Sequence, residues 1–401
     1  MGLSRLPRLG DRRGEAAMSA KKIEVTLYSD AAYYGGAEAY LSLLSRHLDR
    51  DRVRLSAILP DRPAVGRLES ELARAGVAIR RHRRLGFRWW DAFGRLRDDL
   101  QAIGGEVLHI NLPSTYDAGL SSVAFAARMS GYRRVVATEH LPMIKRRYRR
   151  FPAKFLFSEA VDLFLVPAQA SRESLVRLHM MPFEKTRVVP LGVEEPPDVP
   201  AEVEQEIRRE TDTPRGTLTL GVVGSLIPRK GQRDLLEALA ILAREDGMAN
   251  GEIRLWVIGE GEERPALEER ARELGLGAAV RFLGPRPGAA GLMRLLDLLV
   301  VPSLVETTPF VVLEAMAASR PVVATRIFGI PEMVVDGLTG SLVAPSDPPD
   351  LARALRPLLR DPELRREMGL AGRDRYAALF TADRMARETE IAYRGGERDE
   401  P

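Results

Sequence analysis

At 401 residues, with 45% hydrophobic and 29% charged residues, the chain has an ordinary globular composition and a length that exceeds one hydrophobic core, so two domains are expected. Cysteine is absent, which excludes disulfides, thiolate catalysis and thiolate metal sites and fits a reducing cytoplasm. No run approaches the roughly 20 apolar residues of a spanning helix, no signal-peptide core is present, and the net charge is only +4, although unevenly spread.

Residues 1–20 are polar, basic and aperiodic, so disorder is expected there, or an extension ahead of a true start at Met18. The first strand-like run, KIEVTLYS, leads into DAAYYGGAEAYLSLL. Gly35 and Gly36 at a helix start let backbone approach a phosphate closely, although a Gly-Gly pair there is more often only a turn. Helical stretches are predicted over 37–48, 92–103 and 116–129, between the strands RVRLSAIL, VLHIN, RVVATEH and DLFLVP. Asp49-Arg50-Asp51 pairs two acids at a spacing that suits a divalent metal, but it follows a helical pattern and reads as a turn. His109 and His140 fall at strand ends, where a lone histidine is more often a satisfied structural residue than a catalytic one. No metal-ligand spacing accompanies either.

Two basic clusters interrupt this half. RRHRRLGFRWW carries Arg80, Arg81, Arg83, Arg84 and Arg88 beside Trp89 and Trp90; IKRRYRRFPAKF carries Lys145, Arg146, Arg147, Arg149, Arg150 and Lys154. Arginines mixed with aromatics suit an anionic membrane surface, and no nucleic-acid-binding motif accompanies them. A solvated face of an arginine-rich chain is the other reading.

The segment 188–200 gathers proline and acid and is expected to link the halves. The second half restarts with TLGVVGS, RLWVIGEG, VRFLG, LLVVP and PVVAT, each followed by a helical run, so both halves read as parallel α/β sheets. Gly224 follows a strand and Lys230-Gly231 precedes a helix, where lysine can neutralise a diphosphate. In SLVETTPFVVLEAMAASRPVVAT, Thr308 is predicted as N-cap and Pro309 as the first helical residue. The helix that follows is apolar or small except for Glu314, with Glu306 in the loop ahead of it. Free helix amides flanked by two acids suit a ligand carrying both phosphate and hydroxyls. Helices over 351–356, 362–378 and 382–393 close the chain.

The spacing of Glu306 and Glu314, followed by LEAMA, Pro321-Val-Val and GIPE, resembles the donor-site signature of glycosyltransferase family 4. These are retaining sugar-nucleotide transferases of the two-domain GT-B fold. The resemblance implies that Glu306 lies by the donor hexose and Glu314 bonds the nucleotide ribose. It implies donor-phosphate and loop-ordering roles for Gly35, Gly36 and Glu38, a place for His140 beside the transferring sugar, and a place near the nucleobase for Gly259 and Gly261. Lys230 would stabilise the leaving diphosphate. The chain departs from the family where Ser225 replaces a phosphate-binding arginine, for which Arg229 is the nearest substitute. Thr307 and Pro309 also replace glycines, leaving Thr308, Phe310 or Val311 to supply any backbone cradle.

The expectation is therefore an α/β GT-B fold with an acceptor-side domain over 21–195, a donor-side domain over 196–380, and a tail over 381–401 returning to the first. Its activity would be a retaining, metal-independent transfer of a sugar from a nucleotide-diphosphate sugar to a hydroxyl acceptor, with no resident cofactor. Lys230, His140 and Glu306 are the expected catalytic residues, and His109 is a weaker acceptor-side candidate. The partners would be the nucleotide sugar and an acceptor that can be lipid-linked, in cell-surface polysaccharide or glycolipid synthesis. A cytoplasmic location, peripheral at the inner face of the membrane, fits that role, and nucleic acid is not expected. A phosphorylase of similar fold is the enzymatic alternative, without a lysine marked for pyridoxal phosphate. A catalytically weak sugar-nucleotide-binding or membrane-surface protein is the non-enzymatic one.

Overall fold

A computed structural model describes residues 21–82, 89–112, 120–141, 159–247, 253–286 and 288–396 of the chain. Its first sheet is built from β1 (Ile23–Ser29), β2 (Val53–Pro60), β3 (Ala78–His82), β4 (Val107–Leu112), β5 (Arg134–Glu139), β6 (Leu163–Val166) and β7 (Thr186–Val188). All pair in parallel in the order β3-β2-β1-β4-β5-β6-β7. The second contains β8 (Leu218–Val223), β9 (Ile253–Ile258), β10 (Val280–Gly284), β11 (Leu298–Val301), β12 (Val322–Thr325) and β13 (Gly340–Val343). It repeats the pattern as β10-β9-β8-β11-β12-β13. Strands such as VLHINL and LLVV are buried along their whole length, as expected when helices cover both faces.

In each sheet the strand order reverses beside the first strand, between β1 and β4 and between β8 and β11. Helices diverge there, which leaves a crevice beyond the carboxyl ends of those strands. The motifs carrying Gly35, His140, Lys230 and Glu306 all follow strands at or next to these two crevices. The α/β GT-B expectation is met by two such sheets with alternating helices.

Some elements are absent from the sequence reading. β3 has mostly exposed residues and lies at a sheet edge, and β7 spans only three residues, so neither shows the apolar run used to find strands. Helices Gly66–Arg74, Gln169–His179 and Ala201–Glu210 were also unpredicted. Asp49 and Asp51 do form a turn, in which Asp51 N donates to Asp49 Oδ1 at 2.8 Å.

The chain passes between the two sheets at residues 189–200 and again near Phe380. The passages run side by side: Val193 N donates to Phe380 O at 2.9 Å, and Ala382 N donates to Val193 O at 3.0 Å. A Cβ on Gly192 would stand 2.2 Å from Thr381 O, so only glycine allows this approach. The last helix, Ala382–Arg394, then packs on the first half, where Tyr393 Oη meets His109 Nδ1 at 2.5 Å.

Candidate active site

Three loops of the second half form one side of the cleft. After β8, Gly224 has φ 146° and the chain turns through Pro228–Lys230 to Gly231, whose φ is 68°. A Cβ on Gly231 would meet Pro302 O at 2.0 Å, which brings this loop against the one after β11. Leu304 N donates to Arg229 O at 2.8 Å and Arg229 Nη1 donates to Val305 O at 3.1 Å, stitching the loops together. Lys230 Nζ consequently forms an ion pair with Glu306 Oε2, and Arg229 Nη1 lies 3.7 Å from the same oxygen. Lys230 and Glu306 are both largely buried, so their attraction is less screened than at an open surface. Ser225 is exposed, and its carbonyl accepts from Gln232 Nε2 at 3.0 Å.

Gly259 and Gly261, after β9, have a steric role. A Cβ on Gly259 would fall 1.9 Å from Gly224 O, and one on Gly261 would fall 2.2 Å from Leu226 O. These glycines allow the third loop to lie directly on the first.

The helix after β11 starts one residue later than predicted. Pro309, with ψ 126°, is its N-cap and Phe310 its first residue, so the expectation of Thr308 as cap is corrected. Just ahead of it, Thr307 Oγ1 donates across the cleft to His140 O at 2.7 Å. Thr308 is buried, while the first amides of Phe310 and Val311 have no acceptor within the helix, as at any helix start. Glu314, on the next turn, keeps partial exposure, but burial pushes its carboxyl up to about 7. No hydrogen bond or ion pair from a described residue reaches that carboxyl.

On the first-half side, Gly35 is the extended N-cap of the helix Gly36–His47. Glu38 folds back beneath it, and its buried Oε2 accepts from Gly35 N at 2.9 Å. Glu38 therefore orders this turn and points away from open solvent. Gly36 faces the other half, where a Cβ would lie 3.7 Å from the Phe310 ring. His140, one residue past β5, lies 2.9 Å from Asn111 Oδ1 through Nε2, and the Tyr40 ring stands edge-on to it at 4.9 Å. Burial holds His140 neutral, pushing it down to about 3.

One further expectation needs correction. His109 has no exposure, and its ring nitrogens meet Tyr393 Oη and Thr138 Oγ1 at 2.5 and 2.7 Å. It is a structural residue beneath the cleft, not an acceptor-side group. Arg80 and Arg81 lie on β3, half-exposed, where Arg80 pairs with Asp99 and Arg81 with Glu69 and Asp61. Residues 83–88 and 142–158 lie outside the described residues, as do the side chains of Trp89 and Trp90, so both basic–aromatic clusters fall largely outside them. Among the described residues no three His, Asp or Glu side chains group as a metal site, and no helix is long and apolar enough to cross a membrane.

Sequence reasoning missed Thr307, Asn111 and Glu332 as cleft or interface residues. Glu332 reaches from the short helix Ile330–Met333 to the first half, where its Oε2 and Oε1 accept from Gln169 N and Ala170 N at 2.7 and 2.8 Å. The GIPE run was the available signal, but nothing local reveals a partner 163 residues away.

The site thus assembles a lysine and an arginine beside a carboxylate, a second carboxyl held near neutrality, open helix amides and a neutral imidazole. Cations and amides suit a diphosphate, and carboxylates suit hydroxyls. The family model described as Glycosyl transferases group 1 matches residues 203–375, and that described as Glycosyltransferase Family 4 matches residues 34–195. A D-inositol 3-phosphate glycosyltransferase of Corynebacterium jeikeium is 36% identical over 52% of this chain and 51% of its own. One from Stackebrandtia nassauensis is 34% identical over 58% of this chain and 54% of its own. The chain spans about half the length of these curated relatives. Among solved structures, Anabaena HepE in complex with UDP superposes with a TM-score of 0.77 at 19% identity, covering 93% of this chain and 100% of that one. A glycosyltransferase from Rickettsia africae gives 0.80 at 16% identity, covering 94% and 99%.

Proposed function

Because this chain belongs to glycosyltransferase family 4, we propose that it moves a sugar from a nucleotide-diphosphate sugar to a hydroxyl acceptor with retention of anomeric configuration. The observation that carries this reading is the pairing of Lys230 with Glu306 at the strand-order reversal, directly before the helix that bears Glu314. In the bound state the donor diphosphate takes Lys230 and Arg229, and Glu306 turns to the hexose hydroxyls. Glu314 bonds the ribose. UDP is the first nucleotide to test, since the similarly folded HepE is complexed with UDP and UDP-glucose.

The bond from the anomeric carbon to the phosphate oxygen breaks while Lys230 and the helix amides stabilise the charge that develops on the diphosphate. The acceptor oxygen bonds that carbon on the face the phosphate leaves, and its proton passes to a phosphate oxygen. The proposed reaction invokes neither a covalent carboxylate intermediate nor a metal; among the described residues the acids do not gather as a metal set. Closure of the two halves, tied by Thr307 to His140, excludes water that would hydrolyse the donor.

A lipid-linked acceptor at an anionic membrane is proposed from the basic–aromatic clusters, and a phosphorylated polyol is the acceptor class suggested by the relatives' names. Thermal shift with UDP, GDP and their sugars identifies the donor, since a ligand at 100 times its Kd stabilises by roughly 2.7 kcal/mol. Transfer to each acceptor class is then followed by mass spectrometry, with anionic liposomes present or absent. Stabilisation by a nucleotide with no sugar transferred to any acceptor would favour a binding protein instead.

A further inference from the structure

Asn111, at the carboxyl end of β4, is 2% exposed and reaches two neighbours at once. Its Nδ2 donates to Ala37 O at 3.0 Å, and its Oδ1 lies 2.9 Å from His140 Nε2. A backbone carbonyl can only accept, so the NH2 half of the amide must face Ala37. Turning the amide over would oppose two acceptor oxygens in a buried place and lose that bond. The oxygen half is therefore fixed toward His140, and only an N–H can satisfy it there. In a neutral imidazole with Nε2 protonated, Nδ1 carries the lone pair.

The surroundings hold this arrangement. The Tyr40 ring meets the imidazole edge-on at an interplanar angle of 69°, which opposes rotation of His140. Tyr40 Oη lies 3.2 Å from Thr138 Oγ1, which also meets His109 Nε2 at 2.7 Å. His109 is in turn bonded to Tyr393 of the last helix. Burial keeps His140 neutral, and no described residue hydrogen-bonds its Nδ1.

We infer that Asn111 is a positioning residue that fixes His140 as the Nε2–H tautomer, presenting Nδ1 as a hydrogen-bond acceptor to a hydroxyl of the bound sugar. The identity of that hydroxyl group rests on the glycosyltransferase reading; the tautomer does not.

The test uses the full chain labelled with 15N-histidine, without ligand, in long-range 1H–15N spectra at pH 7. His140 is assigned by the signal missing from His140→Gln. The wild type should show a single Nε2–H tautomer. Asn111→Ala should show nitrogen shifts averaged between tautomers and a kcat lower by about tenfold, the scale of one misdirected hydrogen bond. Asn111→Ser, whose hydroxyl can face the ring as donor or acceptor, should average in the same way and guards against a variant that fails to fold. An Nδ1–H wild type, or variants that keep the single Nε2–H tautomer, would overturn the inference. The expected tautomers in a protein that transfers no sugar would support it while removing the functional reading.

Discussion

The helix Gln169–His179 begins at Ala168, which has no side-chain acceptor for the helix's first amides. Glu332 from the other half supplies both carboxylate oxygens instead. Ala168 is 1% exposed and packs closely under Gly329, on which a Cβ would come within 2.7 Å of Ala168 Cβ. Replacing Glu332 by alanine removes two charge-assisted bonds. Gln169 is exposed, so water can take its amide, and the bond to Ala170 carries most of the loss. A lost cap costs about 1 kcal/mol and the helix dipole adds roughly 0.3–1 kcal/mol, giving about 1.3–2 kcal/mol in all. Glu332→Gln keeps one acceptor and should lose roughly half as much. Thermal unfolding should shift by a few degrees, and small-angle X-ray scattering should show a larger radius of gyration as the halves separate. A Glu332→Ala protein that keeps its stability within about 0.5 kcal/mol and its radius of gyration would refute the reasoning.

Three further predictions concern the cleft and the crossing. Because burial raises the Glu314 carboxyl to about 7, its ionised form is disfavoured in the fold, and the resulting destabilisation grows from pH 4.5 upward and is complete above 7. Glu314→Gln should therefore stabilise the unliganded protein at pH 8, by at most roughly 3 kcal/mol since the side chain keeps some exposure, yet not at pH 4, while weakening nucleotide binding by about 1.5–3 kcal/mol. Equal stability at both pH values would contradict this. Lys230→Ala should lower kcat at least about a hundredfold with the fold intact, and a near-normal rate in Arg229→Ala would show that Arg229 does not replace the arginine lost at Ser225. Gly192→Ala places a methyl 2.2 Å from Thr381 O and should cost about 2 kcal/mol or more in unfolding; an unchanged midpoint would mean the crossing relaxes freely.

The long apolar strands and the Glu306–Glu314 spacing were legible in the sequence because burial on both faces and an isolated acid in an apolar helix leave a local signature. β3 escaped because its residues are mostly exposed at an edge, where no apolar alternation is needed. Lys230 was readable as a cation before a helix, but its pairing with Glu306 depends on Gly231 passing beneath Pro302. The roles of Asn111, Thr307 and Glu332 each depend on a contact between distant segments, and uncharged or common residues give no local hint of such partners. His109 misled for the converse reason. A histidine ending a strand points equally well to a cleft or to a buried tyrosine, and here the tyrosine arrives 284 residues later.

That late arrival bears on biosynthesis. The ribosome releases the first sheet long before it makes Tyr393, so β4 and β5 must wait with His109 and Thr138 lacking the group that closes their buried network. The first half can collapse early, but its final packing follows translation of the entire second half. A nonsense mutation at the start of the Ala382–Arg394 helix would therefore damage the earliest-made domain while sparing the sheet translated just before it.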